Sequence, residues 1–242
     1  MCVHRTNNPV SIRQIAERME QLGLSPKPAE HPGRGISLNL SFGAFAARIT
    51  RGAEPTASLR RETAGQCRLV GLSASPSLNE VEVWRLAPVR PSLAGNVQDC
   101  QQLWVIAAMI APVMCVDALF WPPARMWSSL DGLRDAVVTA EDIGLPPVIH
   151  LVAFVRALGV VPGRRRMLTE GLAWFNNQEI ELSYPDTLQP ADALRRTLQV
   201  TCLSLFYGGL KPYQYLAESS GSAPMMVGPG YKRGDVRVMN VE

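Results

Sequence analysis

Apolar residues recur at Ile12, Ile15, Met19 and Leu22. Positions three and four apart share one helix face, so this set predicts an amphipathic helix. Asn8 and Pro9 suit its N-cap and first turn, and Gly23 stands where a left-handed C-terminal cap is expected. No recognition helix follows, because residues 24–35 are rich in proline and glycine. This helix alone therefore carries no DNA-reading role. The period then changes. Residues 36–42 alternate apolar and polar side chains, and Phe45, Ala47 and Ile49 alternate again after Gly43. Two period-two runs around one glycine predict a hairpin. Residues 51–66 are polar and predict a mobile loop or a short exposed helix. Residues 67–72 and 81–86 predict two further strands, separated by serines, Pro76 and Asn79.

Residues 97–110 lack a polar face, which predicts a helix buried on most sides. A strand over 113–121 is expected beyond Pro112, with Asp117 inside it. Ser128, Ser129 and Asp131 offer capping chemistry for a helix running to about Ala140 through Leu133 and Val137. Pro146 and Pro147 close that section. Residues 148–155 are continuously apolar and predict a strand. Arg164, Arg165 and Arg166 predict the start of a polar turn, and residues 167–175 a short strand or helix. Residues 179–184 alternate and predict a strand. Residues 191–207 predict a C-terminal helix with Leu194, Leu198, Cys202, Leu205 and Phe206 on one side, stopped by Gly208 and Gly209. The tail, residues 225–242, holds a glycine-rich bend and then Val236, Val238 and Val241. The mixture predicts the α+β class: a single domain over residues 1–242, with a mixed or mostly antiparallel sheet and packed helices. Residues 88–95 are the best candidate sub-boundary.

Composition narrows the function classes. The 242 residues are 47% hydrophobic and 19% charged, enough for one large core or two small ones. Basic residues number 24 and acidic ones 21. A balance so near neutral gives no strong field for nucleic acid or acidic lipid. Arginines cluster at Arg164–Arg166 and, more loosely, at Arg48, Arg51, Arg60, Arg61 and Arg68. Aromatics are not interleaved with them, so no nucleic-acid partner is expected. Cys2, Cys67, Cys100, Cys115 and Cys202 show no paired spacing, and reduced thiols in a cytoplasmic protein are the expectation. The first residues lack the apolar core of a signal peptide. Residues 103–120 approach the length of a membrane span, but Pro112 and Asp117 interrupt them and Pro122 and Pro123 follow. A buried helix and a buried strand explain the same residues, so no membrane partner is expected.

The candidate chemistry is sparse. Alternation places Glu179 and Glu181 on one strand face, with Glu170 close by in sequence. Adjacent carboxylates raise one another's pKa and suit acid and base roles or a hard cation. A solvated strand face explains the same pattern. His150 sits in an apolar run, where a core histidine is the plainer reading and a catalytic role the sharper one. His4 and His31 fall in segments expected to be mobile. Neither a paired-histidine motif nor a Cys/His cluster occurs, so no metal and no cofactor are expected. Gly-x-Ser-x-Gly is absent, and Cys115 and Cys202 have apolar neighbours that make a thiol inert. Gly228–Gly234 is glycine-rich and basic, but a strand rather than a helix is expected after it, which suits a turn better than a phosphate cradle. Trp121, Trp127, Trp174 and Phe175 are the aromatic candidates for anchoring a partner, with core packing as the plain alternative.

Thr169, Gly171, Leu172, Phe175, Glu179, Glu181 and Leu182 stand in the pattern Thr-x-Gly-Leu-x-x-Phe-x-x-x-Glu-x-Glu-Leu. An apolar helix, a strand ending at Trp121 and a Pro-Pro turn precede it, and a helix ending at Tyr207, Gly208 and Gly209 follows. This order over about residues 96–209 resembles the bacterial proteins grouped as domain of unknown function 4261. The resemblance implies an α+β cytosolic bacterial domain and supplies no activity. A turn of glycine, a basic residue and proline is expected in that family before the first glutamate; Asn176, Asn177 and Gln178 stand there instead. The leading expectation is a non-enzymatic protein that binds, neutralises or escorts a protein partner. The rival is a carboxylate-based or metal-assisted hydrolase using Glu170, Glu179 and Glu181, with His150.

Overall fold

A computed structural model describes residues 2–5, 12–29, 36–43, 45–78, 81–89, 97–216, 224–230 and 235–240. Asn8, Pro9, His31, Val241 and residues 231–234 of the glycine-rich bend lie outside them. Contacts gather into two compact units, one from residues 1–93 and 98–150, the other from 94–97 and 151–242. The main division falls at 150/151, and the units also change over at 93/94, within the 88–95 segment. The α+β class holds, with mostly antiparallel sheets.

The first unit runs β1 (Cys2–Arg5), α1 (Ile12–Gln21), β2 (Ser25–Pro28), β3 (Ile36–Phe42), β4 (Phe45–Arg51), α2 (Ala53–Glu62), β5 (Arg68–Val70), β6 (Glu82–Pro88), α3 (Val97–Val113), β7 (Val116–Trp121), β8 (Met126–Ser129) and α4 (Leu130–Ile143). Its sheet has the order β2-β3-β4-β6-β1-β7-β8-β5. Only the β5–β8 pair is parallel. The helix over Ile12–Gln21 buries Ile15 and Met19 and ends as its pattern predicts. Gly23 takes φ 79°, its amide bonds the Glu20 carbonyl, and the Leu24 amide bonds that of Met19. These two bonds are a Schellman cap, and Met19 and Leu24 at its ends are both buried. The Ser129 side chain caps α4 by accepting from the Gly132 amide at 3.3 Å.

Several expectations change here. Cys2–Arg5 is a strand, paired to β6 on one side and β7 on the other, so His4 lies in the sheet rather than in a mobile segment. Ser25–Pro28 is a short edge strand whose prolines lack the N–H groups that further pairing would need. Ala53–Glu62 is helical, but Leu59 is buried with Val83, Ala118, Phe120 and Trp127, so α2 covers part of the core.

The second unit runs β9 (Ala153–Leu158), β10 (Arg164–Glu170), α5 (Ala173–Asn176), β11 (Ile180–Pro185), α6 (Pro190–Phe206), β12 (Tyr215–Leu216), β13 (Met225–Pro229) and β14 (Val236–Asn240). Its sheet has the order β12-β13-β14-β11-β10-β9, with β11–β14 the parallel pair. Ile180, Leu182 and Tyr184 are buried, as the alternation predicts. Helix α6 packs on β10, β11 and α5. The continuous apolar run does not form one strand. Val148–His150 make a 3-10 turn after Pro147, closed by the His150 amide on the Pro147 carbonyl, and β9 begins only at Ala153. Apolar runs report burial, and period alone does not separate a buried turn from a strand. Arg164–Arg166 belong to β10 rather than to a turn.

Helix α6 buries a different face from the one expected. Ala193, Thr197, Val200, Thr201, Ser204 and Leu205 point inward, whereas Leu194 and Phe206 are exposed. The Thr197 and Thr201 hydroxyls donate to the carbonyls four residues back at 2.7 and 2.8 Å. Satisfied in this way, a threonine packs as a small residue and lets the helix sit close to the sheet.

Candidate functional site

The stretch from Thr169 to Ile180 leaves the sheet, makes one helical turn and returns. Gly171 takes φ 96° at the exit from β10, and Asn177 takes φ 58° at the end of α5. Leu172 is the N-cap residue of α5 and offers no side-chain cap. Glu179 supplies the acceptor instead, from across the loop. Its Oε1 accepts the Gly171 amide at 2.8 Å and the Ala173 amide at 3.1 Å. Its Oε2 accepts the Thr169 hydroxyl at 2.7 Å, and that hydroxyl accepts the Ile180 amide at 2.7 Å. The Glu179 amide donates to Asp235 Oδ1 at 3.2 Å, while its carbonyl accepts the Val236 amide. One residue thus ties β10, α5, β11 and β14 together. Burial pushes its carboxyl above the ordinary carboxylate range, opposed by hydrogen bonds from Thr169 and from the Ala173, Gly171 and Leu172 amides.

Glu181 is used differently. It lies between Arg166 Nη1 and Arg237 Nε, each at 3.3 Å, on the sheet face opposite Leu182. Glu170 ends β10 with a partly buried side chain. The structure therefore gives Glu179 and Glu181 separate sets of partners, and neither presents a free carboxylate pair to a ligand. Among the described residues, no group of three His, Cys, Asp or Glu side chains is placed to hold a metal ion.

His150 belongs to the first unit, whereas all three glutamates belong to the second. It is buried near Gly132 at the start of α4. Its Nδ1 finds no hydrogen-bond partner among the described residues. Burial lowers its pKa below the ordinary 6.5, and a hydrogen bond with the Gly132 backbone pulls the other way.

Of the two readings of the aromatic candidates, core packing accounts for the tryptophans at 121 and 127. Trp121 and Trp127 are buried, the first edge-on to Trp104 at 5.1 Å and the second tilted against Phe120 at 4.9 Å. Phe175 is buried too, with Trp174 partly buried and edge-on to it. Large rings fill the core because each removes so much apolar surface from water. Cys115 is exposed rather than enclosed by apolar neighbours, while burial raises the Cys202 thiol.

Exposed aromatics occur elsewhere. Phe206, Tyr207, Tyr213 and Tyr215 are each between 64% and 77% exposed. They fall within ten residues that begin at the last residue of α6. The Asn-Asn-Gln turn holds this segment in place. Asn176 Nδ2 donates to Ser204 Oγ at 2.8 Å. Gln178 both donates to the Leu210 carbonyl, at 2.9 Å, and accepts its amide, at 2.8 Å. Gly209, at φ 125°, passes so close that a Cβ there would lie 3.0 Å from Gln178 Oε1. The sequence carries a signal for them in the aromatic-rich stretch around Gly208–Gly209, where the glycines by themselves predict only a helix stop. Comparison with family models, with curated proteins and with solved structures returns no match.

Proposed function

We propose that the chain is a non-enzymatic cytoplasmic accessory protein that binds a protein partner through Phe206, Tyr207, Tyr213 and Tyr215. The observation that carries this reading is the set of four exposed rings on a segment fixed by Asn176 and Gln178. Tyrosine and phenylalanine are enriched at interface cores, where rigid rings add contact area at low entropic cost. Exposed apolar side chains gathered in one segment mark interaction surfaces more often than scattered ones do. Free thiols at Cys67, Cys115 and Cys202 support a reducing compartment. Membrane anchoring gains no support, since no helix among the described residues is long and apolar enough to cross a bilayer. The hydrolase reading is the weaker one, because the lone pairs of Glu179 already serve three donors.

Kinship with the domain of unknown function 4261 proteins is proposed on the same stretch. Glu179 of the pattern accepts directly from the Thr169 hydroxyl and the Gly171 amide. A motif that builds its own loop is more specific than isolated matches.

Native capture from a lysate of the source cells tests the partner surface. Three baits are compared: the wild type, Phe206→Ser/Tyr213→Ser, and Val138→Ser at an exposed apolar position of α4. One defined species held by the wild type and Val138→Ser, and reduced about tenfold or more by the double variant, supports the proposal. Capture that survives the double variant, or no defined species at all, overturns it.

A further inference from the structure

Strand β9 is an edge of the second sheet, and the turn that joins it to β10 carries the most exposed aliphatic side chains among the described residues of that unit. Leu158, Val160 and Val161 are 79%, 67% and 58% exposed. Gly159, Pro162 and Gly163 complete the turn, so it offers water no polar side chain. Its backbone is already served. The Leu158 carbonyl accepts Arg166 Nε at 2.8 Å, the Val161 carbonyl accepts the Arg164 amide at 3.2 Å, and the Gly163 carbonyl accepts the Asp186 amide at 2.9 Å. Pro162 has no N–H to satisfy. An apolar tip whose carbonyls are bonded within the chain loses little on leaving water. Arginines stand just behind it. Arg165 is the register partner of Leu158, and Arg156 lies two residues before Leu158 on the same face of β9. Both are exposed, and neither forms an ion pair among the described residues. Asp186, one residue past β11, is exposed beside the same turn and offsets part of this charge. Two residues of strand span about 7 Å, which sets the guanidinium groups at headgroup depth when the tip is among acyl chains. Other occupants fit less well. An antiparallel pairing of β9 with a second copy, centred on the strand, brings the two Arg156 side chains together, and like charges there are unfavourable. Protein hot spots draw on aromatic rings, with leucine and valine under-represented. Acyl chains demand no shape match, and anionic headgroups supply the counter-charge for Arg156 and Arg165.

We infer that the β9–β10 turn docks on an anionic lipid bilayer, with Leu158, Val160 and Val161 among the acyl chains and Arg156 and Arg165 against the headgroup phosphates. The contact is reversible and peripheral, and it needs no membrane-spanning helix, of which the described residues contain none. The net charge of +3 draws no bilayer from a distance; the two arginines act within a Debye length of one already touched. The aromatic segment stands apart, because Gln178 holds it just before β11 begins, whereas the turn lies beside Pro185, where β11 ends. Co-sedimentation of the full chain with vesicles of phosphatidylcholine and phosphatidylserine tests the inference. Vesicles of phosphatidylcholine alone are the comparison arm, and sedimentation velocity without lipid is a second readout. The expected result is binding to the mixed vesicles that is weaker on phosphatidylcholine alone and reduced by added sodium chloride. Val160→Ser/Val161→Ser is expected to weaken it about tenfold or more, and Arg156→Gln/Arg165→Gln to a similar degree. All four positions are exposed, so the thermal melts of both variants are expected to match the wild type. Val138→Ser, at an exposed apolar position of α4, is expected to leave binding unchanged. No binding to the mixed vesicles overturns the inference, and so does binding that either double variant leaves intact. Equal binding to phosphatidylcholine alone overturns the anionic-lipid assignment. A wild-type dimer that Val160→Ser/Val161→Ser converts to monomer overturns it in favour of a second copy.

Discussion

Removing the Glu179 side chain leaves the Thr169 hydroxyl and the Gly171 and Ala173 amides without their acceptor. Orphaned buried donors cost about 1–3 kcal/mol each, partly recovered when water reaches them. Glu179→Ala is therefore expected to lower unfolding stability by about 2–4 kcal/mol, read as a shift of the urea midpoint. Glu179→Gln keeps the shape but turns an NH2 group toward donors, and recovers only part of that loss. A Glu179→Gln protein as stable as the wild type would remove the clamp role and return the residue to the list of acid–base candidates. His150 makes a prediction of opposite character. Its folded pKa lies below 6.5, its unfolded value, so the unfolded chain takes up the proton first as pH falls. The stability linked to neutral His150 is complete above pH 6.5 and is lost as pH drops through the lowered folded value. Melting temperatures between pH 7.5 and 5 are expected to fall with acid in the wild type. His150→Gln, which does not titrate, is expected to flatten that slope; an unchanged slope would show that other groups set it.

At the scale of elements, α6 shows how size rather than hydropathy selects the buried face. Leu194, Leu198, Leu205 and Phe206 predict an apolar stripe, yet of these only Leu205 is buried, beside Ala193, Thr197, Val200, Thr201 and Ser204. Thr197→Leu adds bulk where no space exists and is expected to cost about 1–3 kcal/mol. Leu194→Thr, on the exposed side, is expected to stay within about 0.5 kcal/mol of the wild type. Equal effects at the two positions would contradict this packing. The same distinction explains residues 148–155. Val148, Leu151, Val152 and Ala153 are all buried, so the apolar signal was correct about burial while the preceding prolines set a 3-10 turn rather than an extended strand.

For the molecule as a whole, two sheets and two compact units carry separate chemistry. The first holds the buried His150; the second holds the Glu179 clamp and the exposed rings. The net charge of +3 suits this reading. It gives no long-range pull on polyanions.

Local patterning alone determined the helix ending at Gly23, the hairpin around Gly43, the Ser129 cap and the inward-facing Ile180, Leu182 and Tyr184, because each depends on neighbours within one turn or one strand. Patterning did not group Thr169, Gly171 and Glu179; only the resemblance set them in one motif. Tertiary structure decided what those residues do. Only the folded loop shows that Glu179 spends its carboxylate on Thr169, Gly171 and Ala173, and that Glu181 spends its own on Arg166 and Arg237. Likewise, only packing assigned Trp121 and Trp127 to the interior and left Phe206 and Tyr213 outside. A side chain's exposure depends on which distant segment covers it, and a linear pattern carries no record of that partner.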